Sequence, residues 1–315
     1  MTGRRAFLGI SHTPLLGLNP VATEVSAELG TALAAMRAAV AAWNPDRVVI
    51  IGPDHYNGFF NELMPAFCIG TQARSVGDYG TPAGALRVAA DEAQALAEHL
   101  MDHGFDPAIS RRMVVDHGFS QSLGQLWNGL DTPPLIPIFV NAVAQPGILR
   151  LARCVQLGRE LGAWLDTLAG RTLVIGSGGL SHEPPVPTLA HPDPAVRDRI
   201  TVRSTPSQAE RDAKTQRVMA AGRALAAGDP AIKPLAPAWD ARWMDALAGG
   251  QLETLATMSE SSITEQAGLS AHESKTWLIA RASLSDADAT HCALRYYRAI
   301  PEYIAGYGIL MLQPA

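Results

Sequence analysis

Short apolar runs recur along the chain: "AFLGI" (6–10), "RVVIIG" (47–52), "PLIPIFV" (134–140) and "TLVIGS" (172–177). They are rich in Val and Ile and too short for helices, so each predicts a buried strand. Between them lie segments with helical spacing of apolar positions, notably "VATEVSAELGTALAAMRAAVAAW", "AADEAQALAEHLMDHG" and "ERDAKTQRVMAAGRALAAG". The second stops at Gly104, a usual helix terminator. Alternation of this kind predicts an α/β fold, with a mostly parallel central sheet flanked by helices on both faces. Pro and Gly gather at the connections, and no linker or repeat divides the chain. The expectation is a single domain over 1–315, with a helical C-terminal part from about Leu235 closing over the sheet.

Composition narrows the class. The 315 residues are 47% hydrophobic and 17% charged, enough for a substantial core. A net charge of −5 without a basic run gives no footprint for nucleic acid or anionic lipid. Cys68, Cys154 and Cys292 have neither CxxC nor framework spacing, which fits a reducing cytoplasm. The N-terminal apolar stretch is broken by Ser11, His12 and Pro14, against a signal peptide. No apolar run is read as approaching the ~20 residues of a membrane span.

Candidate chemistry sits where the strands end. "AFLGI" runs into "SHTP", placing His12 just past a strand; "RVVIIGP" runs into "DHYNG", placing His55 likewise. "TLVIGS" runs into "GGLSHEPP", placing His182 after a glycine-rich turn, and His117 follows Asp116, a predicted helix N-cap. In an open α/β sheet the loops beyond the strand C-termini line the ligand crevice, so these four rings can converge there. Any one of them alone is more often a loop or capping residue. His99 and His103 stand four apart on a predicted helix, a spacing that can bind metal. They also lie in its last turn, where imidazole meets the negative end of the dipole; without a third ligand in view, the second reading is preferred. His191 and His291 receive no role.

Two imidazoles and one carboxylate form the facial triad that leaves an iron(II) ion open to substrate and dioxygen. The candidate carboxylates are Asp54, Asp116, Glu183 and Glu273. Asp54 points away from its neighbour His55 on an extended chain, and Asp116 is engaged in capping. Ser270 and Glu273 match a capping box, a competing use for Glu273. Spacing does not choose among them.

Taken together and in order, "SHTPLLG", "GPDHYNGFF", "DHGFSQSL", "GSGGLSHEPPVP", "AHESKTWLIA" and "RYYRAIPEYIAGYG" resemble the class III extradiol ring-cleaving dioxygenases. This superfamily includes the protocatechuate 4,5-dioxygenase catalytic subunit. The likeness runs from about Phe7 to about Tyr307. It implies cleavage of a catechol with dioxygen, with His12, His55 and Glu273 binding non-haem Fe(II), and with His117 and His182 as acid–base groups. It also implies a homo-oligomer and a propionate or propenoate tail on the substrate. Two departures are Ala299, where the pattern has proline, and the loosely matched helix between Ala209 and Gly228.

The residue types suit that chemistry. A catechol must lose protons to chelate a metal, and neutral imidazole is a base matched to neutral pH. His182 takes that first role and His117 that of proton donor to the departing oxygen, and the labels are exchangeable. Asp54, Tyr56 and Phe59, with Phe60, are candidates to wall a ring pocket; ordinary packing is the competing reading for the phenylalanines. A carboxylate tail wants a cation, and Arg111, Arg112, Arg295 and Arg298 are candidates. Two other classes stay open: a zinc or manganese hydrolase on the same triad, with His182 as base to a metal-bound water, and a non-catalytic binding relative.

Overall fold

The apolar runs form the centre of the molecule. In the computed structural model, which describes residues 4–284 and 290–314, eight strands make the main sheet. They are β1 (Arg4–Ile10), β2 (Arg47–Gly52), β3 (Phe67–Gly70), β6 (Ala108–Ser110), β8 (Leu135–Val140), β9 (Arg171–Ser177), β10 (Thr290–Ile300) and β11 (Ala305–Pro314). Their order is β10-β11-β1-β9-β2-β8-β3-β6. A small second sheet joins β5 (Ala83–Ala85), β4 (Ala73–Val76) and β7 (Met113–Val115).

Helices cover both faces, as expected. One face carries α1 (Thr23–Trp43), α3 (His117–Trp127) and α6 (Gln208–Ala226). The other carries α2 (Ala90–Asp102), α4 (Leu151–Leu165), α7 (Pro237–Ala248), α8 (Leu252–Ala256), α9 (Glu260–Ala267) and α10 (Lys275–Ala282). The short α5 (Pro194–Thr201) packs Ile200 against Tyr56 and Phe60. Strand pleat divides the core: Ala6, Leu8, Ile10, Val48 and Ile50 face the first group, whereas Phe7, Val49 and Ile51 face the second. By length and composition alone the 21-residue α1 is apolar enough to cross a membrane, its most apolar 18-residue stretch having a mean hydropathy of 1.2. It lies along the sheet with Leu29, Met36, Val40 and Trp43 buried.

Two expectations need correction. The sheet is mixed, not mostly parallel: β1, β9, β2 and β8 run parallel at its centre, but β8–β3, β1–β11 and β10–β11 pair antiparallel. Parallel neighbours need a crossover of a dozen or more residues, usually a helix. Only the short turn Pro301–Ile304 separates β10 from β11, so those two can pair only antiparallel. The C-terminal part is likewise not all helical. Helices from Pro237 to Ala282 do close over the sheet, but the chain then returns as β10 and β11, and β11 lies beside β1.

The sequence "IGSGGLS" acquires a purpose in this packing. The 3-10 turn Leu269–Ser274 and the start of α10 press onto the end of β9. A Cβ on Gly178 would stand 2.4 Å from the Glu273 carbonyl oxygen, so only glycine admits that approach.

Candidate active site

Because β1, β9 and β2 are adjacent and parallel, their C-terminal ends lie side by side about 4.8 Å apart. His12 follows β1 by two residues, His55 follows β2 by three and His182 follows β9 by five. His117 arrives from the small sheet as the first residue of α3. The His55 and His117 rings stack with centroids 4.3 Å apart, and His12 meets both edge-on at 5.5 Å.

Of the four candidate carboxylates, Glu273 meets the Nε2 atoms of these rings, whereas Asp116 meets Nδ1 atoms from behind. Its Oε2 lies 3.3 Å from His12 Nε2 and accepts the Gly179 N–H at 2.9 Å. Its Oε1 lies 3.1 Å from His55 Nε2 and 3.3 Å from His182 Nε2. The Ser270–Glu273 capping box does not form, since neither the 3-10 turn nor α10 has a side-chain cap. Asp116 caps α3 through the Gly118 N–H, as expected. Glu183 accepts the Leu269 N–H and faces Lys233.

Each imidazole is anchored through Nδ1. His55 Nδ1 lies 3.1 Å from Asp116 Oδ2, His117 Nδ1 lies 2.7 Å from Asp78 Oδ2, and His182 Nδ1 lies 2.9 Å from the Leu180 carbonyl. Carboxylates and carbonyls only accept, so these nitrogens carry the proton. His12 Nδ1 meets Ser177 Oγ at 3.1 Å, and that hydroxyl is already committed as a donor to the Gly118 carbonyl at 2.6 Å. It therefore accepts from His12. All four Nε2 atoms are left for the site, which is how outer partners set the tautomer of metal-binding histidines.

Electrostatics distinguish the rings in the metal-free site. Burial lowers His12 to about 3, keeping it neutral at physiological pH. For His55 burial is opposed by Asp116 and then Glu273, and the ring ends well above its usual value. His182 is raised because Glu273 outweighs burial. Glu273 itself, despite burial, is held well below the carboxylate range by His182 and His12.

The donor set fits a divalent metal. His12 Nε2 is buried without a hydrogen-bond partner, and two imidazoles with one carboxylate converge there. His12, His55 and His117 also bring ligand atoms within 4.8 Å of one another, so His117 is a competing third donor.

The remaining expected residues divide. Asp54 is buried and accepts the backbone N–H groups of Asn57, Gly58 and Phe59, shaping the loop rather than facing the rings. Burial and the neighbouring Asp116 push its carboxyl up to about 7. In that loop Tyr56 adopts φ 59°, a left-handed conformation uncommon for an aromatic residue, and packs with Phe60. Phe59 stacks on Phe139 at 3.7 Å. None of the four arginines pairs with the cluster: Arg295 bonds Asp245, Arg298 bonds Glu28, and Arg111 and Arg112 are exposed in the β6–β7 turn. Instead α6 supplies cations. Lys214 Nζ donates to the His55 carbonyl at 3.3 Å, and Arg217, one turn further on, acts on Tyr79, whose ring meets His117 edge-on at 5.0 Å. Asp78, Ser177 and Lys214 were not foreseen. A "GDYG" sequence signals a tight turn but not what its carboxylate will meet.

Comparison with known proteins yields one family over most of the chain. The model of the catalytic LigB subunit of aromatic ring-opening dioxygenase matches residues 6–308. A 2,3-dihydroxyphenylpropionate/2,3-dihydroxicinnamic acid 1,2-dioxygenase of Comamonas testosteroni is 64% identical over 312 residues, 99% of this chain and 97% of that protein. Enzymes of the same name from a Rhodococcus species and from Paraburkholderia xenovorans are each 47% identical, over 96% and 97% of this chain and 96% of each relative. An uncharacterized protein of known structure from Escherichia coli K12 aligns with 99% of this chain and 100% of its own at a TM-score of 0.49 and 14% identity.

Proposed function

The chain belongs to the LigB family of catalytic subunits of aromatic ring-opening dioxygenases, and from that premise we propose that it opens a catechol carrying a three-carbon carboxylate tail. The substrate would be 3-(2,3-dihydroxyphenyl)propionate or 2,3-dihydroxycinnamate, the reaction extradiol cleavage with dioxygen to a semialdehyde-type acid, and the setting the cytoplasm. The observation that carries this reading is the meeting of three anchored Nε2 atoms on the buried Glu273 carboxylate, at the C-terminal ends of β1, β2 and β9.

His12, His55 and Glu273 would hold Fe(II). Glu273 is preferred to His117 as the third ligand because it supplies an anion to a cation and faces both other ligands. When bound, Fe(II) would supply the electron transfer that joins catechol to dioxygen. The chain's own work is the handling of protons. His182 donates Nδ1–H to a neutral carbonyl, so its Nε2 lone pair is free to take a catechol proton. His117 acts from the other side: Asp78 holds its Nδ1, which leaves the opposite edge of the ring to deliver a proton to the substrate. Each group would contribute ~10²–10⁴-fold. Lys214, on the His55 carbonyl, and Arg217, beside Tyr79, would be the cations for the substrate's tail.

The test is anaerobic loading with Fe(II), then 3-(2,3-dihydroxyphenyl)propionate in aerated buffer, with an oxygen electrode and visible absorbance read together. One dioxygen consumed per yellow product is expected. Iron-loaded protein that consumes none with this compound or with catechol would overturn the reading. Glu273→Ala is expected to lose stoichiometric iron; full iron in that variant would remove Glu273 from the ligand set.

A further inference from the structure

We propose that His99, His103 and Glu160 form a second metal site, distinct from the histidine cluster, which takes a borderline divalent ion such as Zn(II) between α2 and α4. Sequence spacing offered two imidazoles in the last turn of a helix and no third ligand. The fold provides one: α4 packs beside α2 and brings Glu160 to them, so that all three ligand atoms lie within 4.8 Å of one another.

The rings are already prepared for binding. His103 Nδ1 donates to the His99 carbonyl at 2.7 Å, which fixes the proton there and leaves Nε2 with its lone pair outward. His99 and His103 stack with centroids 4.1 Å apart and planes 24° apart, so the two rings lie side by side at the end of α2. His99 Nε2 is buried, has no hydrogen-bond partner and stands 3.7 Å from Glu160 Oε2. That separation is too long for a hydrogen bond. It is close to the roughly 3.3–3.5 Å that separates two ligand atoms on a tetrahedral ion with bonds of about 2.0–2.2 Å. Two imidazoles and a carboxylate, with solvent at the exposed His103 side, suit zinc and its neighbours rather than calcium or magnesium. A bound ion would clamp the last turn of α2 to α4, on elements that contribute nothing to the histidine cluster.

The probe is Zn(II) alone, titrated anaerobically into Fe(II)-loaded protein against a chromophoric chelator, with thermal melting followed in parallel. One Zn(II) per chain and a higher melting temperature are expected in iron-loaded wild type, and the same in Glu273→Ala titrated without iron. In His103→Ala and Glu160→Gln the affinity should fall by roughly tenfold or more, with dioxygen uptake unchanged. Equal zinc affinity in wild type and His103→Ala would overturn the proposal. So would zinc binding that disappears in Glu273→Ala, since that would assign the ion to the cluster.

Discussion

Four rings that each give up Nδ1–H to a protein acceptor make a clear prediction at the level of single residues. Asp78→Asn should leave His117 in place but poorly oriented, because the amide can present N–H where the ring needs an acceptor. We expect kcat to fall on the order of 10²-fold with KM and iron content retained, as measured by steady-state dioxygen uptake and metal analysis. Ser177→Ala should act on iron instead, weakening its binding by roughly 10–100-fold, since His12 loses the acceptor that sets its tautomer. The rings themselves were legible: an imidazole directly after a buried strand, repeated on several strands, is a pattern a sequence displays. Their partners were not. Asp78 and His117 are 39 residues apart, and His12 and Ser177 are 165 apart, so those contacts exist only once the strands are adjacent. Glu273 had an equally good local use as a cap, and only in the folded chain does its turn pack on Gly178 and its carboxylate reach Gly179 and the histidines.

Among the elements, helices on both faces followed from apolar spacing, because a strand hydrophobic on each side must be covered on each side. Strand direction did not follow, since it depends on the length and path of connections rather than on periodicity. Two elements carry predictions. Gly178→Ala places a methyl group against the turn that delivers Glu273. It should cost about 1–3 kcal/mol, read by calorimetry, and lower iron retention as well. The helix α6 carries Lys214, which donates to the His55 carbonyl, and Arg217, which acts on Tyr79. Lys214→Met should therefore raise KM for 3-(2,3-dihydroxyphenyl)propionate by roughly tenfold while leaving plain catechol unchanged, because only the tailed substrate presents a charge for Lys214 to meet. Equal effects on both substrates would dissociate Lys214 from the tail.

For the molecule as a whole, the cluster links protonation to stability. His182 is raised and Glu273 lowered, so their contact in metal-free protein is strongest when imidazole is charged and carboxylate ionised. The histidine contribution is fully present below 6.5 and fades as pH rises through its raised value. The glutamate contribution is fully present above 4.5 and fades as pH falls through its lowered one. The melting-temperature difference between metal-free wild type and His182→Gln should accordingly be greatest between those limits and shrink on either side. Differential scanning fluorimetry across pH would read it, and a difference that grows with alkalinity would contradict the assignment. The pairing of β1 also matters in time rather than space. β1 lies between β9 and β11, both made long after it. During synthesis β1 therefore waits with both edges bare until β9 emerges and with one bare until β11 does, a long interval in which it is open to wrong partners.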